Sequence, residues 1–292
     1  MKKLKQAIKF ITPYGIVKLL EENRESARPT RAEKAILSAN AAFKDRHRGK
    51  RCFILGTGPS IKKQNLKALG RETCIAVSNF FVHRDFPVIR PRYYCVPAYH
   101  PPFTDTAWNE WIGEVFAKTN GSELFMGDTL LGIERYQERC TDIGADMTRT
   151  FFIKFGRGWN SAVRRGIDLT GSLPAPQSVA IMALMIALYL GFGEIYLLGC
   201  DHDWILHLGE NAHFYDEKKS ALYRSGHHEG VDLDLATEFR NHLILWEQYK
   251  ALREIAERNN TRVFNATAGS LLDVFPRAHY DSILKRDYGI KR

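Results

Sequence analysis

At 292 residues, 45% hydrophobic and 26% charged, the chain can bury a full core and has the make-up of an ordinary globular protein. No stretch reaches the roughly 18 uncharged apolar residues of a membrane-spanning helix, and the five cysteines, odd in number and widely spaced, form neither a disulfide framework nor a CxxC metal signature. The net charge of +9 resides in residues 1–51, where 14 Lys/Arg face 5 Asp/Glu; the other 241 residues hold 28 of each sign, so the body lacks the basic face that nucleic-acid binding demands.

Residues 1–50 read as a basic amphipathic N-terminal extension. Leu4, Ile8, Ile11 and Tyr14 recur at helical spacing beside Lys2, Lys3, Lys5 and Lys9. A segment of this kind, residues 1–20, can lie on an anionic membrane surface. The alternative is packing on the body or on a second subunit, which leaves a homo-oligomer open. The start carries no secretory signal, so the expected location is cytoplasmic, with a peripheral place at the inner face of the cell membrane if the membrane reading holds. Residues 21–50 read as a polar connector with a helical patch from Ala32 to Phe43.

The body, residues 51–292, alternates short apolar runs with helical patterns. Cys52–Leu55, Thr73–Val77, Tyr93–Val96, Glu123–Met126, Phe151–Phe155, Glu194–Gly199 and Arg262–Asn265 read as strands. A helix capped by Ser178 and apolar on all sides is expected through Leu188, and another from Glu238 to Arg258. This order predicts an α/β, Rossmann-like fold with a mostly parallel sheet and helices on both faces. Residues 202–235 are polar and without a period, and are expected to form a lid inserted in the domain.

The turn Gly56-Thr57-Gly58-Pro59-Ser60 follows the first strand and precedes a helix expected from Ile61. Two glycines let backbone approach a ligand, and the N–H groups of a helix start favour an anion such as phosphate. The turn has neither the Gly-Lys-Ser/Thr of a Walker loop nor the third glycine of GxGxxG. Together with Ser78-Asn79, the run from Gly191 to Asp201, and Asn265–Leu272, it resembles the bacterial CMP-sialic acid-dependent sialyltransferases. It also resembles the wider group that holds motility accessory factor glycosyltransferases and archaeal 6-hydroxymethylpterin diphosphokinases.

That resemblance, spanning about residues 51–275, implies a glycosyltransferase with a nucleotide-sugar donor, a glycan or lipid-linked acceptor in surface polysaccharide synthesis, and no obligatory metal. It implies donor binding by Gly56, Thr57, Gly58, Pro59, Ser60, Asn79, His100, Ser178, Gly199 and Asp201. His100 and Gln177-Ser178-Val179 depart from the family's pattern, so base and sugar stay open.

Transfer to a hydroxyl needs a base, and six of the ten histidines fall between residues 202 and 242. The resemblance places His242 near the family's catalytic histidine; His213, His227 and His228 in the lid compete with it. Asp201-His202-Asp203 has the form of an Asp-x-Asp, through which Asp201 and Asp203 can chelate Mg²⁺ or Mn²⁺. No HxxxH or HExxH supports zinc. Two other readings stay open: a Mg²⁺-dependent diphosphokinase and a nucleotide-binding module without catalysis.

Overall fold

A computed structural model describes residues 29–99, 104–128, 131–207, 212–220 and 234–285. The expectations for residues 1–20 and for His100, His227 and His228 lie outside these. In chain order the elements are α1 (Arg31–Leu37), β1 (Arg51–Leu55), β2 (Cys74–Val77), α2 (Phe86–Ile89), β3 (Tyr93–Val96), α3 (Asp105–Lys118), β4 (Glu123–Asp128) and α4 (Ile133–Asp142). They continue as β5 (Thr150–Arg157), α5 (Trp159–Arg165), β6 (Ser172–Pro174), α6 (Val179–Tyr189), β7 (Glu194–Leu198), α7 (Leu235–Arg258), β8 (Arg262–Asn265) and α8 (Tyr280–Lys285).

All eight strands pair parallel, in the order β6-β5-β4-β3-β2-β1-β7-β8. The Rossmann-like α/β expectation is met. β6, only three residues long, is the strand that hydropathy did not reveal. The chain lays β1 to β6 outward in one direction and then returns to place β7 on the other flank of β1. The switch in winding therefore falls between β1 and β7, where open α/β sheets leave a crevice at their carboxyl ends.

Successive side chains of each strand feed opposite cores. Cys52 and Ile54 of β1 face one layer, built largely from α6 and α7; Phe53 and Leu55 face the other, with Trp108 and Trp111 of α3 and Tyr136 of α4. α6 packs on β1, β2 and β3 from one side and on α7 from the other. That position explains a sequence without a polar face: every residue from Ala180 to Tyr189 is buried. α7 is half covered. Tyr249, Leu252 and Ile255 enter the core, whereas Leu235, Phe239 and Leu243 stand exposed on its first half.

The domain boundary expected at residue 51 falls inside the folded body. Thr30 and Glu33 form a capping box at the start of α1. Asn40 donates through Nδ2 to the carbonyls of Phe152 and Leu169, and Phe43 is fully buried against Tyr93, Phe125 and Phe151. The N–H groups of Asp45, His47 and Gly49 bond the carbonyls of Tyr189, Leu190 and Gly191. Lys154 of β5 holds Glu33 at 2.8 Å and Asp128 at 3.1 Å. Residues 30–50 fall within the stretch 21–50 read as a connector because its charges surround few large apolar positions, yet Leu37 and Phe43 are core positions.

No described helix is long and apolar enough to cross a membrane. If residues 30–50 belong to the body, Phe43→Ala costs about 3–5 kcal/mol of stability. Urea unfolding followed by circular dichroism measures this, and a loss under about 1 kcal/mol would return the segment to the status of an appendage.

Candidate functional site

The carboxyl ends of β1 and β7 meet closely. The Gly56 N–H donates to the Leu198 carbonyl and the Gly58 N–H to the Gly199 carbonyl, each at 2.8 Å. Asp201 accepts from the Ser60 N–H through Oδ1 at 2.9 Å and from the Ser60 hydroxyl through Oδ2 at 2.8 Å. A Cβ at Gly56 would overlap the Gly199 carbonyl, and one at Gly58 the Asp201 carboxylate. The glycines thus admit the neighbouring strand end.

This corrects the expected chemistry of the turn. Three of its N–H groups are spent inside the protein, and Pro59–Lys63 is a five-residue 3-10 turn in place of a helix with a useful dipole. The residues nonetheless form a wall. Gly56, Thr57 and Gly58, with Val77, Ser78 and Asn79 after β2, Pro97 after β3, and Gly199 to Trp204 after β7, surround a cavity of about 480 Å³. Its floor holds Trp108 and Trp111 of α3, and Ser178, Val179 and Ala180 at the start of α6. Ala212, His213 and Tyr215, from the segment expected to be a lid, close it.

Individual contacts fix these side chains. Asn79 accepts from the Trp111 indole N–H and donates to the Ser220 hydroxyl. Ser178 caps α6 through the Ile181 N–H. The first N–H groups of a helix, here at Val179 and Ala180, have no intrahelical acceptor, and both residues line the cavity. Ser78 (φ 49°), Gly199 (φ 64°) and His202 (φ 50°) all adopt left-handed backbone on the cavity wall. For the two non-glycine residues this conformation costs of order 1 kcal/mol or more each, held in place by the surroundings. The Tyr94 hydroxyl, donating to the Ser78 carbonyl at 2.6 Å, is one such restraint.

The lid segment is anchored to the glycine turn: the Phe214 N–H donates to the Thr57 carbonyl at 2.8 Å. His213 places Nδ1 3.0 Å from the Thr57 hydroxyl and Nε2 4.0 Å from Glu217, and stacks on Tyr215 with centroids 5.1 Å apart. Burial pulls the imidazole below its ordinary pKa, against the raising effects of Glu217 and of the Thr57 backbone. His213 is therefore neutral near pH 7 and able to accept a proton.

His242 stands elsewhere. It is buried on α7, with Nδ1 at 3.0 Å from the Glu238 carbonyl and its ring 4.3 Å from that of Trp204, and it does not line the cavity. His202 does line it, but burial pushes its pKa down to about 3 and its Nε2 sits 2.8 Å from the Tyr249 hydroxyl.

Asp201 and Asp203, the expected chelating pair, each hold a different protein partner. Both Asp201 oxygens serve Ser60, while Asp203 turns to His207 at 3.6 Å. Burial raises the Asp201 pKa, countered by the Ser60 bonds. Among the described residues no three His, Cys, Asp or Glu side chains converge as a metal site.

The Asn265–Leu272 stretch has a supporting part that its sequence did not disclose. Thr267 accepts from the Cys200 N–H, Ser270 donates to the Cys200 carbonyl, and the Leu271 N–H donates to the Asp201 carbonyl. It clamps the β7 end from the far side. Compared with protein-family models and with curated proteins, the chain matches none.

If Gly58 serves Asp201, Gly58→Ala destabilises by about 1–3 kcal/mol through overpacking. Combined with Asp201→Ala, the two losses fall short of additivity by about 1 kcal/mol or more. Thermal or urea unfolding of the double-mutant cycle reads this; strict additivity would mean that the glycine does not answer to the carboxylate.

Proposed function

We propose that the protein is a glycosyltransferase, moving a sugar from a nucleotide donor to a hydroxyl of a glycan or lipid-linked acceptor. The observation that carries the reading is His213, an imidazole 3.0 Å from the Thr57 hydroxyl of the glycine turn and on the wall of the switch-point cavity, its pKa lowered by burial. The sequence resemblance to CMP-sialic acid-dependent sialyltransferases supports the same class.

In this mechanism the aromatic side of the cavity, Trp108, Trp111 and Tyr215, receives the base of the nucleotide, with Asn79 as its polar contact. The start of α6 and the Ser178 hydroxyl receive the phosphate. In the tautomer with its proton on Nε2, His213 carries its lone pair on Nδ1, the nitrogen 3.0 Å from the Thr57 hydroxyl. The acceptor oxygen attacks the anomeric carbon, and the bond from that carbon to the donor phosphate oxygen breaks, its electron pair leaving with the phosphate. The acceptor proton passes to His213, and the configuration at the anomeric carbon inverts.

Among the described residues that line the cavity, none is Lys or Arg. A diphosphate leaving group would gather its charge there without a cation, whereas a nucleoside monophosphate asks less of helix dipole and hydroxyls. This favours a CMP-type donor over a nucleoside diphosphate sugar. It also weighs against the diphosphokinase reading, which needs Mg²⁺ at Asp201 and Asp203. No step here is routed through a metal.

A thermal-shift screen over CMP-, UDP-, GDP- and dTDP-sugars, followed by release of the nucleotide, tests the class. Stabilisation by ATP with AMP formation would replace it with the diphosphokinase, and binding without turnover would leave a nucleotide-binding module. His213→Gln should lower kcat by about 10²–10⁴ with donor affinity unchanged. Because the neutral ring is the working form, wild-type activity falls as pH drops, on a limb below the ordinary histidine value of about 6.5. A limb that persists in His213→Gln would remove the histidine from this role.

Residues 1–20 are proposed, on their sequence alone, to hold the enzyme at an anionic membrane. Their deletion should abolish sedimentation with anionic liposomes, and unchanged sedimentation rejects the idea.

A further inference from the structure

A second hollow, of about 320 Å³, opens beside the first. Its walls leave the same edge of the sheet: Pro59 and Ser60 after β1, Asp203 and His207 after β7, and Ala268 and Gly269 after β8. Lys63, one turn beyond Ser60, stands at its border. The two hollows share Asp201, Asp203, Trp204 and Ala212. Ala212, on the shared wall, directly precedes His213, which lines the first hollow.

The two differ in chemistry. The first is lined by three tryptophans, one of them the shared Trp204, by a tyrosine and by aliphatic side chains, beside the shared Asp201 and Asp203. The second has one indole, the shared Trp204, amid two carboxylates, an imidazole, a hydroxyl and an ammonium. Lys63 is exposed, and among the described residues no ion pair engages it. Trp204 is held in place by Glu238, to which its indole N–H donates at 3.1 Å, and by the ring of His242. A sugar presents just these needs: an apolar ring face for an indole, and hydroxyls for a carboxylate and an imidazole. The lysine adds a partner for an acidic group.

We propose that this second hollow is the acceptor site, which rests on the transferase reading above, and that it takes a sugar whose hydroxyls bond Asp203 and His207 and whose anionic group pairs with Lys63. Its occupant meets the donor across the Asp201–Trp204 partition, where His213 can take the proton of the attacking hydroxyl.

Lys63 and Ala268 border the second hollow and not the first, so Lys63→Met and Ala268→Trp separate the two. With the donor found in the screen, both variants should keep nucleotide-induced stabilisation and slow hydrolysis of the donor by water. Ala268→Trp should lose transfer to oligosaccharides. Lys63→Met should raise KM roughly tenfold or more for acceptors ending in galacturonate while leaving those ending in galactose unchanged, the loss expected for one charge-assisted bond. Unchanged acceptor KM in both variants overturns the assignment, as does joint loss of nucleotide binding and transfer, which would give the hollow to the donor.

Saturation-transfer NMR with free galacturonate supplies a readout independent of turnover. Signal in wild type and none in Ala268→Trp keeps the sugar site even where no nucleotide sugar stabilises the protein, a result that would sink the transferase reading alone. Equal signal in both, or none in wild type, overturns the site.

Discussion

The contact of Asp201 with Ser60 is the constraint on which the carboxyl edge depends. A buried carboxylate has to be paired or fully hydrogen-bonded, and here both oxygens find donors on one residue of the neighbouring turn. For that to happen the turns after β1 and β7 must come within hydrogen-bond distance, which only glycine at 56, 58 and 199 permits. The loop after β8 then fastens Cys200 and Asp201 from behind. The crevice that opens at a winding switch is in this way given a rigid lip, and both hollows are built on its two sides.

The fold was legible because its strands are buried on both faces. Such strands read as unbroken apolar runs, and seven of the eight announced themselves so; β6, with three residues, falls below the length at which hydropathy carries information. α6 was equally plain, since an apolar run with Ser178 before it and glycines after it has few other uses. Two elements misled. Pro59–Lys63 carries the residues of a helix start but turns as a 3-10 segment. Residues 30–50 hide Leu37, Asn40 and Phe43 among charges, and nothing local tells that these positions are buried.

The site was legible in membership more than in mechanism. Gly56 to Gly58, Asn79, Ser178, Gly199 and Asp201 do gather around one cavity. What a sequence cannot convey is which backbone and carboxylate groups are already spent, and the turn's N–H groups and Asp201 are spent on each other. The preference for His213 over His242 in the proposed mechanism has the same origin. His242 and His213 differ little as letters, but one sits on a helix against Trp204, while the other is drawn to Thr57 by a segment without regular structure. That difference lies in the tertiary contacts of the segment, which the sequence alone does not carry.

The electrostatics of the larger cavity follow from these commitments. Burial keeps His202 and His213 uncharged and raises the pKa of Asp201, so the walls offer dipoles and hydroxyls in place of mobile counter-charges. In the proposed transfer, a leaving phosphate would be stabilised by groups already oriented before it departs, chiefly the start of α6, whose reorganisation costs little. The same arrangement limits how much charge the cavity can accept. Discrimination between a monophosphate and a diphosphate donor would then arise without any residue that touches the second phosphate, simply because no cation waits for it among the described walls.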